Sequence, residues 1–165
     1  MMSGKKGSGP KKESRAEKHP AGAHAARAAK PAGSPLQPKQ ILITDDEQYL
    51  GELLASQLQE RGYKCVSLVS KADAYQWSLA HKPDLIITDI NSPGMDGFQF
   101  LRLLKSHAST GKVPVVFLTG VASTEMAEQA KRLGAAEFVT KPSSLAEVQT
   151  VVERVLTTRA HKRLR

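Results

Sequence analysis

The chain has 165 residues, of which 40% are hydrophobic and 24% charged, and a formal net charge of +8. That length suits about one domain, and no apolar run reaches the 18 or so residues that a membrane span needs. The single cysteine, Cys65, excludes an intramolecular disulfide and a cysteine-based zinc site and makes a reducing cytoplasm the expected compartment.

The charge is unevenly placed. Residues 1–40 carry a net +7 and residues 154–165 a net +5, whereas residues 41–153 carry a net −4. An acidic centre therefore lies between two basic ends. The N-terminus has positive charge but no apolar segment behind it, so it does not read as a secretory leader, and it lacks the apolar helical face of a transit peptide.

Residues 1–39 contain Pro10, Pro20, Pro31, Pro35 and Pro38, and Leu36 is their one large aliphatic beyond the initial methionines. Such a segment buries too little apolar surface to offset its ordering entropy, and it reads as a disordered basic tail rich in Pro, Ala and Lys. From Ile41 the character changes. Ile41 to Thr44 is a short apolar strand, and Glu47 to Arg61 places Leu50, Leu53, Leu54 and Leu58 at helical spacing before Gly62. Lys64 to Val69 reads as a strand, Lys71 to His81 as a helix ended by Pro83, and Leu85 to Thr88 as a third strand. Asn91 to Gly97 is turn chemistry, and Phe98, Leu101 and Leu104 continue as a helix. Val113 to Leu118 reads as a strand, Thr124 to Leu133 as a helix closed by Gly134, and Glu137 to Thr140 as the last strand. The last helix runs from Ser144 to about Arg159.

Short, wholly apolar strands that alternate with helices predict an α/β fold with a parallel sheet covered on both faces. Right-handed crossovers favour a doubly wound, flavodoxin-like sheet of five strands in the order 2-1-3-4-5. Ligands of such folds bind at the carboxyl ends of the strands. Asp45 and Asp46 follow the first strand, Asp89 the third, Thr119 the fourth and Lys141 the fifth. Three carboxylates brought within a few Å repel one another unless a cation is present. Mg²⁺, with its preference for carboxylate and phosphate oxygens, suits that need. An aspartate beside it can attack phosphorus, while a lysine ammonium and a threonine hydroxyl offset the charge of the phosphoryl oxygens.

The blocks ILITDDE, DLIITDINSPGMDGF, PVVFLTG and FVTKP resemble the receiver domain of two-component response regulators, chemotaxis-type stand-alone receivers included, over about residues 40–158. The combination is specific, although each block alone is weak. The resemblance implies Asp89 as phosphoacceptor, with Asp46 a direct ligand of Mg²⁺ (or Mn²⁺), Asp45 a ligand through water and Asn91 a backbone carbonyl ligand. It implies that Thr119 and Lys141 bind phosphate and that Phe138 is the aromatic switch position. It also places Asn91 and Val121 where the lifetime of the phosphoryl group is tuned. The implied partners are a sensor histidine kinase or a histidine phosphotransfer protein, and a downstream target on the face of the fourth helix, fifth strand and fifth helix. A phosphorylation-dependent homodimer is a further implied state. Only the basic extension 159–165 follows, so the output is expected to be a protein contact, an oligomer, relay to another histidine-containing protein or the tails themselves, rather than a second folded domain.

Blander and rival readings bear on the same residues. Asp45 and Asp46 alone would suit a helix N-terminus, and Phe138, Cys65 and Trp77 also read as packing residues. The five histidines show no ligand spacing. An aspartyl phosphatase would place a second aspartate two residues after the nucleophile, where this chain has Asn91. A dinucleotide-binding protein would need a Gly-x-Gly-x-x-Gly run after the first strand, which is absent. The basic tail reads as a solvated linker, as a weak, non-specific nucleic-acid-binding segment under control of the receiver, or as a tether to an acidic partner. It has no aromatics to stack on bases.

Overall fold

The computed structural model describes residues 37–141 and 144–163, so residues 1–36 of the expected tail lie outside the described residues. Ten elements alternate along the chain. They are β1 (Gln40–Thr44), α1 (Gln48–Glu60), β2 (Lys64–Leu68), α2 (Lys71–His81) and β3 (Leu85–Thr88), followed by α3 (Gly97–Ser106), β4 (Val115–Thr119), α4 (Thr124–Arg132), β5 (Glu137–Thr140) and α5 (Leu145–Arg163). The strands form one parallel sheet in the order β2-β1-β3-β4-β5, as the alternation predicts.

The central strands β1, β3 and β4 are apolar on both faces because both faces are covered. Ile41, Ile43, Leu85, Ile87, Val116 and Leu118 pack on one side with Leu54 and Leu58 of α1 and Val148, Val151, Val152 and Val155 of α5. Leu42, Ile86, Val115 and Phe117 point to the other side, where Ala74 of α2, Phe100, Leu101 and Leu104 of α3 and Ala130 of α4 meet them. The two-residue period of a strand thus feeds two separate cores. Polar side chains can then gather only at the ends of the strands.

Two boundaries differ from expectation by two residues or more. β4 begins at Val115 rather than Val113, because the Val113 N–H donates to Thr110 O in a turn at 2.8 Å and Pro114 has no N–H to give a ladder. α2 ends at His81 as expected, and its C-cap Lys82, before Pro83, leaves the helical region with φ 48. α5 continues to Arg163 rather than stopping near Arg159. No glycine or proline interrupts it there, and bases suit a helix C-terminus.

Gly97 opens α3 where the chain passes closest to the end of β3. A Cβ on Gly97 would lie 2.6 Å from Asp89 O, 2.8 Å from Ile90 Cα and 2.9 Å from Phe117 Cε1. Gly97→Ala is therefore expected to lower the unfolding free energy by about 1–3 kcal/mol, read by urea denaturation.

Cys65 lies on β2 in the first core, and burial pushes its thiol from the ordinary 9.0 up to about 11. The folded chain keeps this proton over a range in which the unfolded chain has lost it. The group's stabilisation is full below the unfolded value and is lost as pH rises through the folded one. Relative to Cys65→Ala, the stability of the unaltered chain should narrow between pH 9.0 and about 11 in parallel denaturation series.

Candidate functional site

The ladder between β1 and β3 ends on the pair Thr44 and Thr88, so the residues that follow, Asp45 and Asp89, emerge side by side. The Asp89 N–H donates to Thr44 O at 3.1 Å and closes this end of the ladder. Asp45 and Asp89 are buried, at 6% and 8% exposure, while Asp46 is exposed. One carboxylate oxygen from each of Asp45, Asp46 and Asp89 lies within 4.8 Å of the others.

Two of these carboxylates are oriented by backbone donors. Asp89 Oδ1 accepts from the Ile90 N–H at 2.7 Å, and Asp45 Oδ1 accepts from the Glu47 N–H at 3.0 Å. The other Asp45 oxygen, Oδ2, accepts from Lys141 Nζ at 2.6 Å. Lys141 is brought there by the β4–β5 pair, which ends on Thr119 and Thr140, and its own N–H donates to Thr119 O at 2.7 Å. The ammonium expected to meet phosphate thus sits on Asp45.

Thr119 is fully buried, and its hydroxyl donates to Val121 O at 3.2 Å in the following loop. Val121 itself is 59% exposed. Phe138 is half-buried, and its ring meets Phe117 edge-on with centroids 6.3 Å apart. Asn91 is exposed in the β3–α3 loop. That loop is fixed at its far end by Asp96, whose Oδ1 accepts from the Gln99 N–H at 2.8 Å while the Gln99 side chain returns to the Asp96 N–H, a capping box at the start of α3. The Gly97 N–H donates back to Ile90 O at 2.7 Å. Asp96 and Gly97, which read as turn chemistry in the sequence, thus brace the loop beside Asp89.

Lys71 is a residue that sequence reasoning missed. It is the first residue of α2, behind the N-cap Ser70, and it is only 3% exposed. Its Nζ donates to Ser92 Oγ in the β3–α3 loop. Burial pushes the ammonium below its ordinary pKa, and the attraction of Asp89, Asp46, Asp45 and Asp96 opposes that shift. Its signal in the sequence was a base in the first helical turn, where acids are favoured.

The donor set suits a hard divalent ion: three carboxylates in reach of one another, an adjoining loop backbone and no sulfur or imidazole among the metal-capable groups of this cluster. An apolar groove of about 410 Å³ leads away from the same residues. Leu50, Leu53 and Leu54 of α1 and Leu145 and Val148 of α5 line it, and Asp45, Asp89 and Lys141 stand at its polar end. Tyr49 and Leu53 are exposed on α1.

Comparison with known proteins accords with this geometry. The phosphate regulon transcriptional regulatory protein PhoB of Pseudomonas aeruginosa is 34% identical over 118 residues, 72% of this chain and 52% of PhoB. The sporulation initiation phosphotransferase F of Bacillus subtilis is 28% identical over 118 residues, covering 72% of this chain and 94% of that protein. The chain spans about half the length of PhoB and 26% of the regulatory protein AtoC of Escherichia coli. The solved structure of chemotaxis protein CheY4 of Vibrio cholerae superposes with a TM-score of 0.69 at 25% identity, covering 72% of this chain and 98% of CheY4. Residues 41–153 match the response regulator receiver domain, and the chain belongs to that family.

Proposed function

We propose that this chain is a response-regulator receiver that accepts a phosphoryl group on Asp89 from a histidine kinase or a histidine phosphotransfer protein and thereby switches partner binding. The convergence of Asp45, Asp46 and Asp89 with Lys141 at one end of the sheet carries the proposal. Asp89 Oδ1 is held by the Ile90 N–H, which leaves Oδ2 as the attacking oxygen. A bond forms from Oδ2 to phosphorus as the donor's P–N bond breaks, and the electron pair leaves with the donor imidazole, which takes a proton. Bound Mg²⁺ or Mn²⁺ supplies positive charge against the phosphoryl oxygens. Asp46 and Asp45 would hold it, directly and through water, with Asp89 and the Asn91 carbonyl. The protein thus assists its own phosphorylation and dephosphorylation without acting on a separate substrate.

The switch follows from contacts that must be exchanged. The Thr119 hydroxyl must leave Val121 O to donate to a phosphoryl oxygen, and Lys141 turns from Asp45 toward the same group. Inward movement of Thr119 frees space that the half-buried Phe138 ring fills. The surface of α4, β5 and α5 changes with it and meets the downstream target or a second copy of the chain. Driving such an equilibrium from 1:99 to 99:1 takes about 5.5 kcal/mol of differential interaction. An aspartyl phosphatase fits less well, because Asn91 stands where its general acid belongs.

Incubation with acetyl phosphate and Mg²⁺ should add one phosphoryl group by mass to the unaltered chain, and none to Asp89→Asn or to a sample with the metal chelated. Labelling of the Asp89→Asn chain to the same extent would sink the assignment.

A second reading makes the chain a nucleic-acid-associated regulator. What favours it is the charge partition, +7 in residues 1–40 and +5 in residues 154–165. In addition, Lys112, Arg154 and Arg159 share a groove at the end of the sheet opposite Asp89, where Arg154 pairs with Glu137 and Arg159 donates to Asp84 O. Binding through phosphate contacts alone is non-specific and falls steeply with salt. Retardation of duplex DNA by the full chain at about 50 mM salt, lost by about 200 mM and absent for a chain starting at Gln40, is the result this reading expects.

A further inference from the structure

We propose that Lys71 is a built-in counter-ion of the acidic pocket, which holds the carboxylates together without a divalent ion and lowers the affinity of the site for one. The inference rests on the reading that this pocket binds Mg²⁺.

Lys71 stands where a lysine is least expected. Lysines are almost never fully buried unless paired, and the first turn of a helix repels positive charge through the helix dipole. Lys71 meets both objections at once, being the first residue of α2 and 3% exposed. Something nearby must offset these costs. Its Nζ reaches Ser92 Oγ, and it shares a cavity with Asp46, Ser92 and the turn Pro93 to Met95. Asp89, Asp46, Asp45 and Asp96 all attract it.

The bland account is a tether between α2 and the β3–α3 loop. A neutral side chain could donate to Ser92 without desolvating a charge at a helix N-terminus, so the hydrogen bond alone does not explain a lysine. The charge does. With Lys141 on Asp45 and Lys71 lining one cavity with Asp46, two ammonium groups lie beside the carboxylate cluster. Lys141 can leave, since its side chain is 20% exposed and faces the groove beside α1 and α5. Lys71 is enclosed and remains. A divalent ion entering the site meets a fixed positive charge that diminishes its gain.

The sign and size follow from Coulomb's law. Removing one unit charge several Å from a divalent ion in a medium of intermediate dielectric should tighten binding by about tenfold. The effect should shrink only partly as salt is raised, because a buried charge is incompletely screened.

The test is Mg²⁺ titration of the full chain by calorimetry, with no phosphodonor present. Lys71→Met keeps the aliphatic stem and removes the charge, and it should bind Mg²⁺ about tenfold more tightly. Lys71→Gln should shift the same way. Lys71→Arg and Ser92→Ala keep a charge and should stay within about twofold of the unaltered chain. If Lys71→Met folds poorly, the rise in thermal midpoint on adding Mg²⁺ should be larger in Lys71→Gln than in the unaltered chain. Unchanged or weaker Mg²⁺ binding in folded Lys71→Met or Lys71→Gln would overturn the proposal. So would equal shifts in Lys71→Met and Ser92→Ala, which would make the tether responsible. No Mg²⁺ binding by any chain, the unaltered one included, would remove the metal reading itself and this inference with it.

Discussion

Mutual repulsion of the carboxylates at the end of the sheet is the constraint on which the rest of the site depends. Parallel pairing of β1 with β3 gives the chain no choice but to release Asp45 and Asp89 together. At an effective dielectric near 20, unit charges 4.8 Å apart repel by about 3 kcal/mol. The exposed Asp46 is better screened than the other two. The fold answers with cations from two directions, Lys141 after β5 and Lys71 at the start of α2. It also supplies backbone N–H groups from Ile90 and Glu47. Each of these partners is positioned by an element whose main task is to cover or extend the sheet.

That economy depends on the two cores. Because Ile41 and Leu42, or Ile86 and Ile87, serve opposite faces, the central strands β1, β3 and β4 have no polar face on which a site could form. Chemistry is confined to the carboxyl edge, where a residue beyond the last ladder pair is free of packing duty. The β3–α3 loop is the longest irregular segment at the site, and it is secured at both ends. The capping box of Asp96 and Gln99 fixes its exit, and the close approach of Gly97 to Asp89 O and Ile90 leaves no room for a side chain there. Lys71 adds a third fixing point through Ser92.

The same division explains what could be read from the sequence. Strand order and the residues at strand ends were legible because apolar runs of four or five residues joined by helices admit few topologies. Once the order is known, Asp45, Asp89, Thr119 and Lys141 fall at one edge. Lys71 was not legible as a site residue, because its register at the head of a helix says nothing of which loop folds over it. A local rule was broken there, a base in a first turn, and such breaks gather where function or strain resides. The pairing of Lys141 with Asp45 was equally hidden, since the two residues lie 96 positions apart in the chain. Val113 read as strand from its composition, yet its N–H was already committed to Thr110 O.

The two lysines differ in a way that suits a switch. In the proposed phosphorylated state Lys141 exchanges Asp45 for the phosphoryl group, and Thr119 exchanges Val121 O for the same group. Both lose a contact that the resting site provides. Those losses set a threshold, which the added phosphate charge must exceed before Phe138 moves. A cation that could leave as readily as Lys141 would lower that threshold without holding the carboxylates in the meantime. Lys71 cannot leave, because its stem is enclosed and its head is bonded to the loop. In the proposed switch one lysine reports the phosphoryl group, while the other stays with the pocket whether or not the group is present.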